Sequence, residues 1–598
     1  MLSDDLTGCR ACATLALAFA ALMLAIPGTA LGAGSGSRLD KVKRVVVIYQ
    51  ENHSFDSLLG NWEGVDGLDS APPGRTTQVD QNGRPYGCLL QNDPSLQAVQ
   101  PKACSGLDAG GNQFQSAFDN NPFAIGQFVP EDADTCPDKY GPKLNGCTLD
   151  LDHDFYESRY QLNDGRMNRF AVGNDVSAGL TMGHWGTQGL PIYDYLHGRG
   201  HPHYAIADRF FQAAFGGSFL NHQWLISART PEWPNADNSG TISNPGNDLH
   251  SVVDENAMPT TYDKDDKSHP SPLYESPLPN AQKILLNGPL TASCDPKQAG
   301  SDTRPTPPPD TPCGDKAINT VNPPQQPTHG QKRANLPLQP KSANTIGDRL
   351  SDANIRWAWF SEGWSNADGD VGEPGWTNGN GPVTGRDGTD CRARYTAKDT
   401  HWPFCPDVAF TYHHQPFNYY EDFSRDTDAG MAARNEHLKD VERFKQLVDT
   451  SEDRCRLPSV SFAKFMRNKS EHPGVRPYDG DAAATKLIQS VEDSACAKRT
   501  MVVLTYDEYG GAWDHVPPPG QGDVPGPHDQ WGPGPRIPAI IVSPLIKQPY
   551  VVDDTEHDTT SIAATIEHRF GLDPLRSRDA DANDLSSVFS ASPPAASR

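Results

Sequence analysis

Positive charge is scarce in this sequence. Lys and Arg number 51 against 76 Asp and Glu, giving a net charge of −25. Phosphate-mediated nucleic-acid binding needs a basic footprint, and docking on an anionic membrane draws on the same charge, so neither is expected. Long apolar runs are also scarce. Beyond residues 11–26, no stretch is long and apolar enough to cross a bilayer, so stable membrane insertion is not expected. Cysteine pairs with C-x-x-C zinc spacing are absent, as is any internal repeat. What is present is an apolar fraction of 36% with 53 Gly and 53 Pro in 598 residues. That describes a loop-rich chain still long enough for a sizeable core.

The N-terminus reads as a secretory signal over residues 1–33. Its apolar segment is followed by Pro27-Gly28 and small residues, with cleavage expected near Ala30 or Ala33. Asp4 and Asp5 outweigh Arg10 there, which is unusual for a signal, and an uncleaved anchor is the alternative. An exported protein, periplasmic or secreted, follows. Ten of the 12 cysteines lie beyond this segment, an even number that suggests disulfides. Cys136/Cys147, Cys294/Cys313 and Cys391/Cys405 are spaced as loop staples. Cys88 and Cys104 are expected to help tie down residues 61–147.

A catalytic domain is expected over residues 38–586. Residues 45–48 and 500–506 are apolar runs of the kind that form strands buried on both faces. Residues 355–360, 457–462 and 537–543 read as further strands. Helices are expected at 191–198, 221–228, 345–353, 436–448, 481–494 and 558–570. Residues 230–341 hold twenty of the prolines and read as an insertion. Residues 587–598 read as a mobile tail. Strands alternating with helices predict an α/β fold, a mostly parallel central sheet sandwiched by helices with long loop-rich insertions.

Two strand ends carry adjacent oxygen ligands, Glu51-Asn52 and Asp507-Glu508. In a parallel sheet both emerge on the carboxyl edge, where α/β sheets bind ligands. Together they suit one hard divalent cation of the Mg²⁺, Mn²⁺ or Ca²⁺ type; read singly, each is equally a loop carboxylate. Ser218 lies in Phe215-Gly-Gly-Ser-Phe-Leu-Asn-His-Gln, a glycine turn before a helix. A serine so placed can be a metal-activated nucleophile or a simple helix cap. It is not the G-x-S-x-G elbow, because Leu220 stands at the second glycine. His153, His413, His414, His472 and His515 flank strand ends or Gly/Pro turns. They could bind a phosphoryl oxygen, ligate the metal or protonate a leaving group. His222 and His437 read as ordinary satisfied histidines.

Three blocks carry a resemblance. They are Ile48-Tyr-Gln-Glu-Asn-His-Ser-Phe-Asp56, Thr505-Tyr-Asp-Glu-Tyr-Gly-Gly-Ala-Trp-Asp-His-Val-Pro-Pro518 and Gly532-Pro-Gly-Pro-Arg-Ile-Pro-Ala-Ile-Ile-Val-Ser-Pro544. In order and content they resemble the bacterial phosphoesterase family, which joins phosphatidylcholine-type phospholipases C with an acid phosphatase branch. The resemblance implies an alkaline-phosphatase-like fold. The Ser218 segment and Asn468-Lys-Ser-Glu-His-Pro-Gly474 resemble the acid phosphatase branch; the Thr-Pro-Asn-Arg expected of the phospholipase branch is missing.

The resemblance implies Ser218 as nucleophile, with Glu51, Asn52, Ser218, Asp507 and Glu508 around one metal. It also implies that His153, His413 or His414, and His472 surround the transferring phosphoryl group. Asn52 and His515 are expected to contact substrate, and His472 or His153 to act as general acid, with an optimum below neutrality. The expected reaction is hydrolysis of small phosphomonoesters through a phosphoserine. Two alternatives are a phospholipase C acting on choline-type phosphodiesters and a non-enzymatic binding protein with a vestigial metal site.

Overall fold

The computed structural model describes residues 38–594 except 81, 90–103, 108–112, 129–149, 154, 175–177, 232–337, 378–403, 408–409, 467–468 and 473–475. The signal segment and almost all of the proline-rich insertion therefore lie outside the described residues, as do Cys136, Cys147, Cys294, Cys313 and Cys391. Two disulfides are described, Cys88–Cys104 and Cys455–Cys496, and Cys405 is also disulfide-bonded.

Eight strands form the central sheet: β1 (Arg44–Gln50), β2 (Tyr204–Ala207), β3 (Trp357–Ser361), β4 (Leu438–Lys439), β5 (Val460–Lys464), β6 (Thr500–Tyr506), β7 (Ala539–Val542) and β8 (Tyr550–Asp553). Their spatial order is β8-β2-β7-β6-β1-β5-β3-β4. β1 lies at the centre, parallel to β6 on one side and β5 on the other. Only β7 runs antiparallel to its neighbours. The apolar runs are fully buried, as expected of strands covered on both faces. Register is fixed by close packing; Phe462 lies opposite Trp359 and the rings stack 5.2 Å apart.

Helices flank the sheet in two packed groups. One joins α1 (Pro191–His197), α2 (Val441–Asp449) and α3 (Pro477–Glu492). In α3 the buried residues Ala484, Leu487, Ile488 and Val491 fall three and four apart, one apolar stripe. The other group joins α4 (Ser218–Ser227), α5 (Ile346–Asp352) and α6 (Thr560–Phe570) around 3-10 turns at Tyr412–His414 and Pro416–Tyr419.

Three expectations need correction. The helix expected over 436–448 is broken: a helix ends at His437, β4 pairs with β3, and α2 restarts behind Asp440, whose side chain accepts from the Glu442 amide. The helix expected to follow Ser218 begins at Ser218 itself. The tail expected to be mobile at 587–598 is anchored over its described part, residues 587–594: Val588 and Phe589 are buried, and Ser592 pairs with Val552. No helix among the described residues is long and apolar enough to cross a membrane.

Candidate active site at the carboxyl edge of the sheet

Gln50 and Tyr506 are register partners at the ends of parallel strands, so the residues that follow emerge level with each other. The Asp507 amide donates to Gln50 O at 3.0 Å, and the Asn52 amide donates to Asp507 Oδ1 at 3.2 Å. Asn52 sits at φ +47°, a left-handed conformation that asparagine tolerates. Gly510, at φ +63°, packs against it; a Cβ there would stand 2.4 Å from Asn52 O. A strained turn on one strand end is thus held by a close-packed glycine on the other.

Ser218 is the first residue of α4, so it stands at the positive end of the helix. Two buried amides shape the turn before it. Gln212 donates to Ala214 O and Gly216 O, and Asn221 both accepts from the Ala214 amide and donates to Ala214 O and Gly216 O. Ser218 Oγ lies 3.2 Å from Glu51 Oε2 and 3.4 Å from Asn52 Oδ1. The opposite side of the Asn52 amide, Nδ2, faces His153 Nε2 at 3.4 Å. His153 Nδ1 bonds Leu151 O, which leaves Nε2 as the acceptor.

Glu51, Asp507 and Glu508 are completely buried together. Asp507 Oδ1 accepts from the Asn52 and Glu508 amides, and Glu508 Oε2 accepts from the Gly510 amide at 2.6 Å. Asp507 Oδ2 and Glu508 Oε1 accept no hydrogen bond. Buried carboxylate oxygens are normally satisfied, so two orphans in one cluster fit a hard cation. Burial, then the Glu51 charge, pushes the Asp507 carboxyl up to about 7. Burial, then Asp507, raises Glu508 well above the usual range. Glu51 goes the other way: burial opposes its ionisation, but Lys464 and His414 overcome that and hold it well below the usual range. A serine ringed by carboxylates is a poor nucleophile unless a cation shares the ring, because the alkoxide would be repelled.

Two participants were not anticipated. Lys464, the last residue of β5, is fully buried with Nζ 2.7 Å from Glu51 Oε1. His222 lies one turn after Ser218, with Nδ1 2.7 Å from Ser218 O and 3.6 Å from Asp507 Oδ2. Glu51, His222 and Asp507 could hold an ion, as could Glu51, His413 and His414. His222 Nδ1 already donates to the Ser218 carbonyl, however, so that nitrogen cannot also ligate. The clue to His222 in the sequence is its i, i+4 spacing from Ser218 within one helix.

Of the expected histidines, His414 contacts Glu51 through Nε2, and His413 packs beside it, ring centres 5.1 Å apart. Burial lowers all three; Lys464 and the neighbouring histidines add to it at His222, His414 adds to it at His413, and Glu51 opposes it at His414. His153 Nε2 lies 3.4 Å from Glu508 Oε1, and Asp150 lies 3.8 Å from both His153 and His472. The His472 side chain is 41% exposed, against 6% for His153, so it reaches solvent. His437 stacks on Trp357, as an ordinary packed histidine does.

His515 is not with the others. Its Nδ1 bonds Asp56 Oδ2 at 2.6 Å and its Nε2 faces Asp66 Oδ1 at 3.2 Å. Burial opposes its charge, but the two carboxylates raise it to about 9. A charged ring with both N–H groups committed to carboxylates ties Asp56 to Asp66.

A buried serine at a helix N-terminus, beside Glu51 and Asn52 on the carboxyl edge of the sheet, marks an α/β protein with a candidate active site there. The chain belongs to the phosphoesterase family, whose model matches residues 42–573. Among curated relatives, non-specific phospholipase C6 of Arabidopsis thaliana is 33% identical over 146 residues, 21% of this chain and 28% of the relative. Phospholipase C B of Mycobacterium tuberculosis (strain ATCC 25618 / H37Rv) is 35% identical over 162 residues, 23% of this chain and 31% of the relative. The matches thus span about a third or less of these relatives' length. A solved structure, Ps i-CgsB, aligns with a TM-score of 0.23 at 10% identity, covering 44% of this chain and 60% of that one, which carries no argument.

Proposed function

We propose that this protein hydrolyses phosphoesters by transferring the phosphoryl group to Ser218 and then to water. The observation that carries this reading is Ser218 Oγ within 3.4 Å of both Glu51 and Asn52, beside orphaned carboxylate oxygens on the neighbouring strand end. Asp507 Oδ2 and Glu508 Oε1, with Glu51, would hold one divalent cation of the Mg²⁺, Mn²⁺ or Ca²⁺ type; when bound, it favours the ionised serine and offsets phosphoryl charge. The chain's own groups do the rest. Ser218 Oγ, at the helix N-terminus, attacks phosphorus in line. The O–P bond forms as the bond to the leaving alkoxide breaks. His472, which reaches solvent, gives that alkoxide its proton. Water then attacks the phosphoserine; the Ser218 Oγ–P bond breaks, inorganic phosphate leaves, and the proton the water loses returns to His472. Asn52 Oδ1 orients the hydroxyl while its Nδ2 is anchored on His153.

Phosphomonoesters are the first substrate reading, supported by the sequence around Ser218 and His472, which resembles acid phosphatases. Choline-type phosphodiesters are the second, supported by relatives that are phospholipases C. Turnover of p-nitrophenyl phosphate against p-nitrophenyl phosphorylcholine separates them; preference for the choline diester overturns the first. For the nucleophile, Ser218→Ala in a folded protein is expected to lose at least about 10³-fold in kcat, and near wild-type turnover would refute the assignment. Export is supported by the signal-like residues 1–33 and by the disulfides. N-terminal sequencing of protein secreted by an expressing cell tests it: a start near Leu31 or Gly34 is expected.

A further inference from the structure

Lys464 is a cation built into the carboxylate cluster. Lysine is almost never fully buried unless paired, yet here it is inaccessible, at the end of a central strand. Its Nζ stands 2.7 Å from Glu51 Oε1, 3.2 Å from Gln50 O and 5.3 Å from the centre of the Tyr49 ring. Each neighbour offers it negative charge or a π face. Glu51 is thereby divided: Oε1 takes Lys464 and His414, while Oε2 faces Ser218.

The geometry leaves room for one ion. Glu51 Oε1 is occupied by the ammonium and the His414 ring, so a cation held with Asp507 Oδ2 and Glu508 Oε1 can reach Glu51 only through Oε2. A second divalent ion, of the kind that Glu51, His413 and His414 could otherwise hold, finds its place on Glu51 taken by the ammonium.

We infer that Lys464 acts as a fixed second cation that restricts the site to a single divalent ion. This rests on the metal reading above but not on the nucleophile. The test counts metal on the full-length, metal-free protein loaded with Mn²⁺ and dialysed against metal-free buffer. Wild type and Lys464→Arg are expected to retain one Mn²⁺ per chain, and Lys464→Met two, a doubling. Should Lys464→Met fold only when Mn²⁺ is supplied, the count is taken on the refolded, loaded protein. One equivalent on both wild type and Lys464→Met overturns this inference alone, and so do two on wild type. No Mn²⁺ on wild type overturns it together with the metal reading. Activity in Ser218→Ala overturns the nucleophile and leaves the count unaffected.

Discussion

Asp507 is where proton and cation compete, and the competition has a size. An ordinary aspartate titrates at about 3.9; burial, then Glu51, brings Asp507 to about 7. At about 1.4 kcal/mol per tenfold change in acidity, ionising it in the metal-free fold costs on the order of 4 kcal/mol. The folded value is raised, so this stability is fully present below the unfolded value. It is lost as pH climbs from about 4 through about 7. A cation bound at Asp507 Oδ2 must displace that proton, so its apparent affinity should fall about tenfold per pH unit below neutrality. Glu508, raised in the same sense, steepens the trend.

The assay is urea unfolding with chelator or with Mn²⁺, at about pH 5 and about pH 8. Mn²⁺ should add much more stability at the higher pH. Other raised carboxyls, such as Asp481 and Asp440, each near 7, also lower stability as pH rises. The informative quantity is therefore the difference between wild type and Asp507→Asn, where the pH dependence of the Mn²⁺ effect should shrink. An equal Mn²⁺ gain at both pH values, or an undiminished dependence in Asp507→Asn, would refute the reasoning.

Two further outcomes follow from the packing. Arg536→Met strands Asp56 and Asp514, which Arg536 binds at 3.1 and 2.9 Å, so urea unfolding should show a loss of about 3–5 kcal/mol. Gly510→Ala places a methyl 2.4 Å from Asn52 O at φ +63°, which displaces Asn52 and should lower kcat on p-nitrophenyl phosphate about 10²-fold in protein that still folds.

Much of the scaffold was legible because apolar runs leave little choice. Residues 500–506 were read as a strand, and β6 spans Thr500–Tyr506. The carboxyl-edge position of Glu51, Asn52, Asp507 and Glu508 followed from parallel pairing alone. Other elements were not legible. The run 436–448 has helical periodicity throughout, and only the pairing of Leu438–Lys439 with a distant strand interrupts it. Tertiary context overrides propensity there. The residues after 586 look like tail by composition, yet Val588 and Phe589 find a place in the core.

The site residues show the same limit more sharply. His153 and His515 both stand next to aspartates, Asp152 and Asp514, and composition cannot separate them. Distance does: His515 is clamped by Asp56 and Asp66, while His153 faces Asn52 and Glu508. The two kinds of residue nevertheless cooperate. The Asp56 amide binds Asp514, the His515 amide and ring bind Asp56, and Arg536 binds both aspartates. The segment after Glu51-Asn52 is thereby tied to the segment after Asp507-Glu508, beyond the carboxylate cluster. Three like charges at two strand ends repel one another, and such ends would separate unless held elsewhere. One motif thus carries both the charges and the clamp that resists their repulsion. Lys464 evaded the sequence for the complementary reason. In Val-Ser-Phe-Ala-Lys it lies two residues beyond the strand expected at 457–462, and only the parallel register of β5 against β1 brings its ammonium to Glu51.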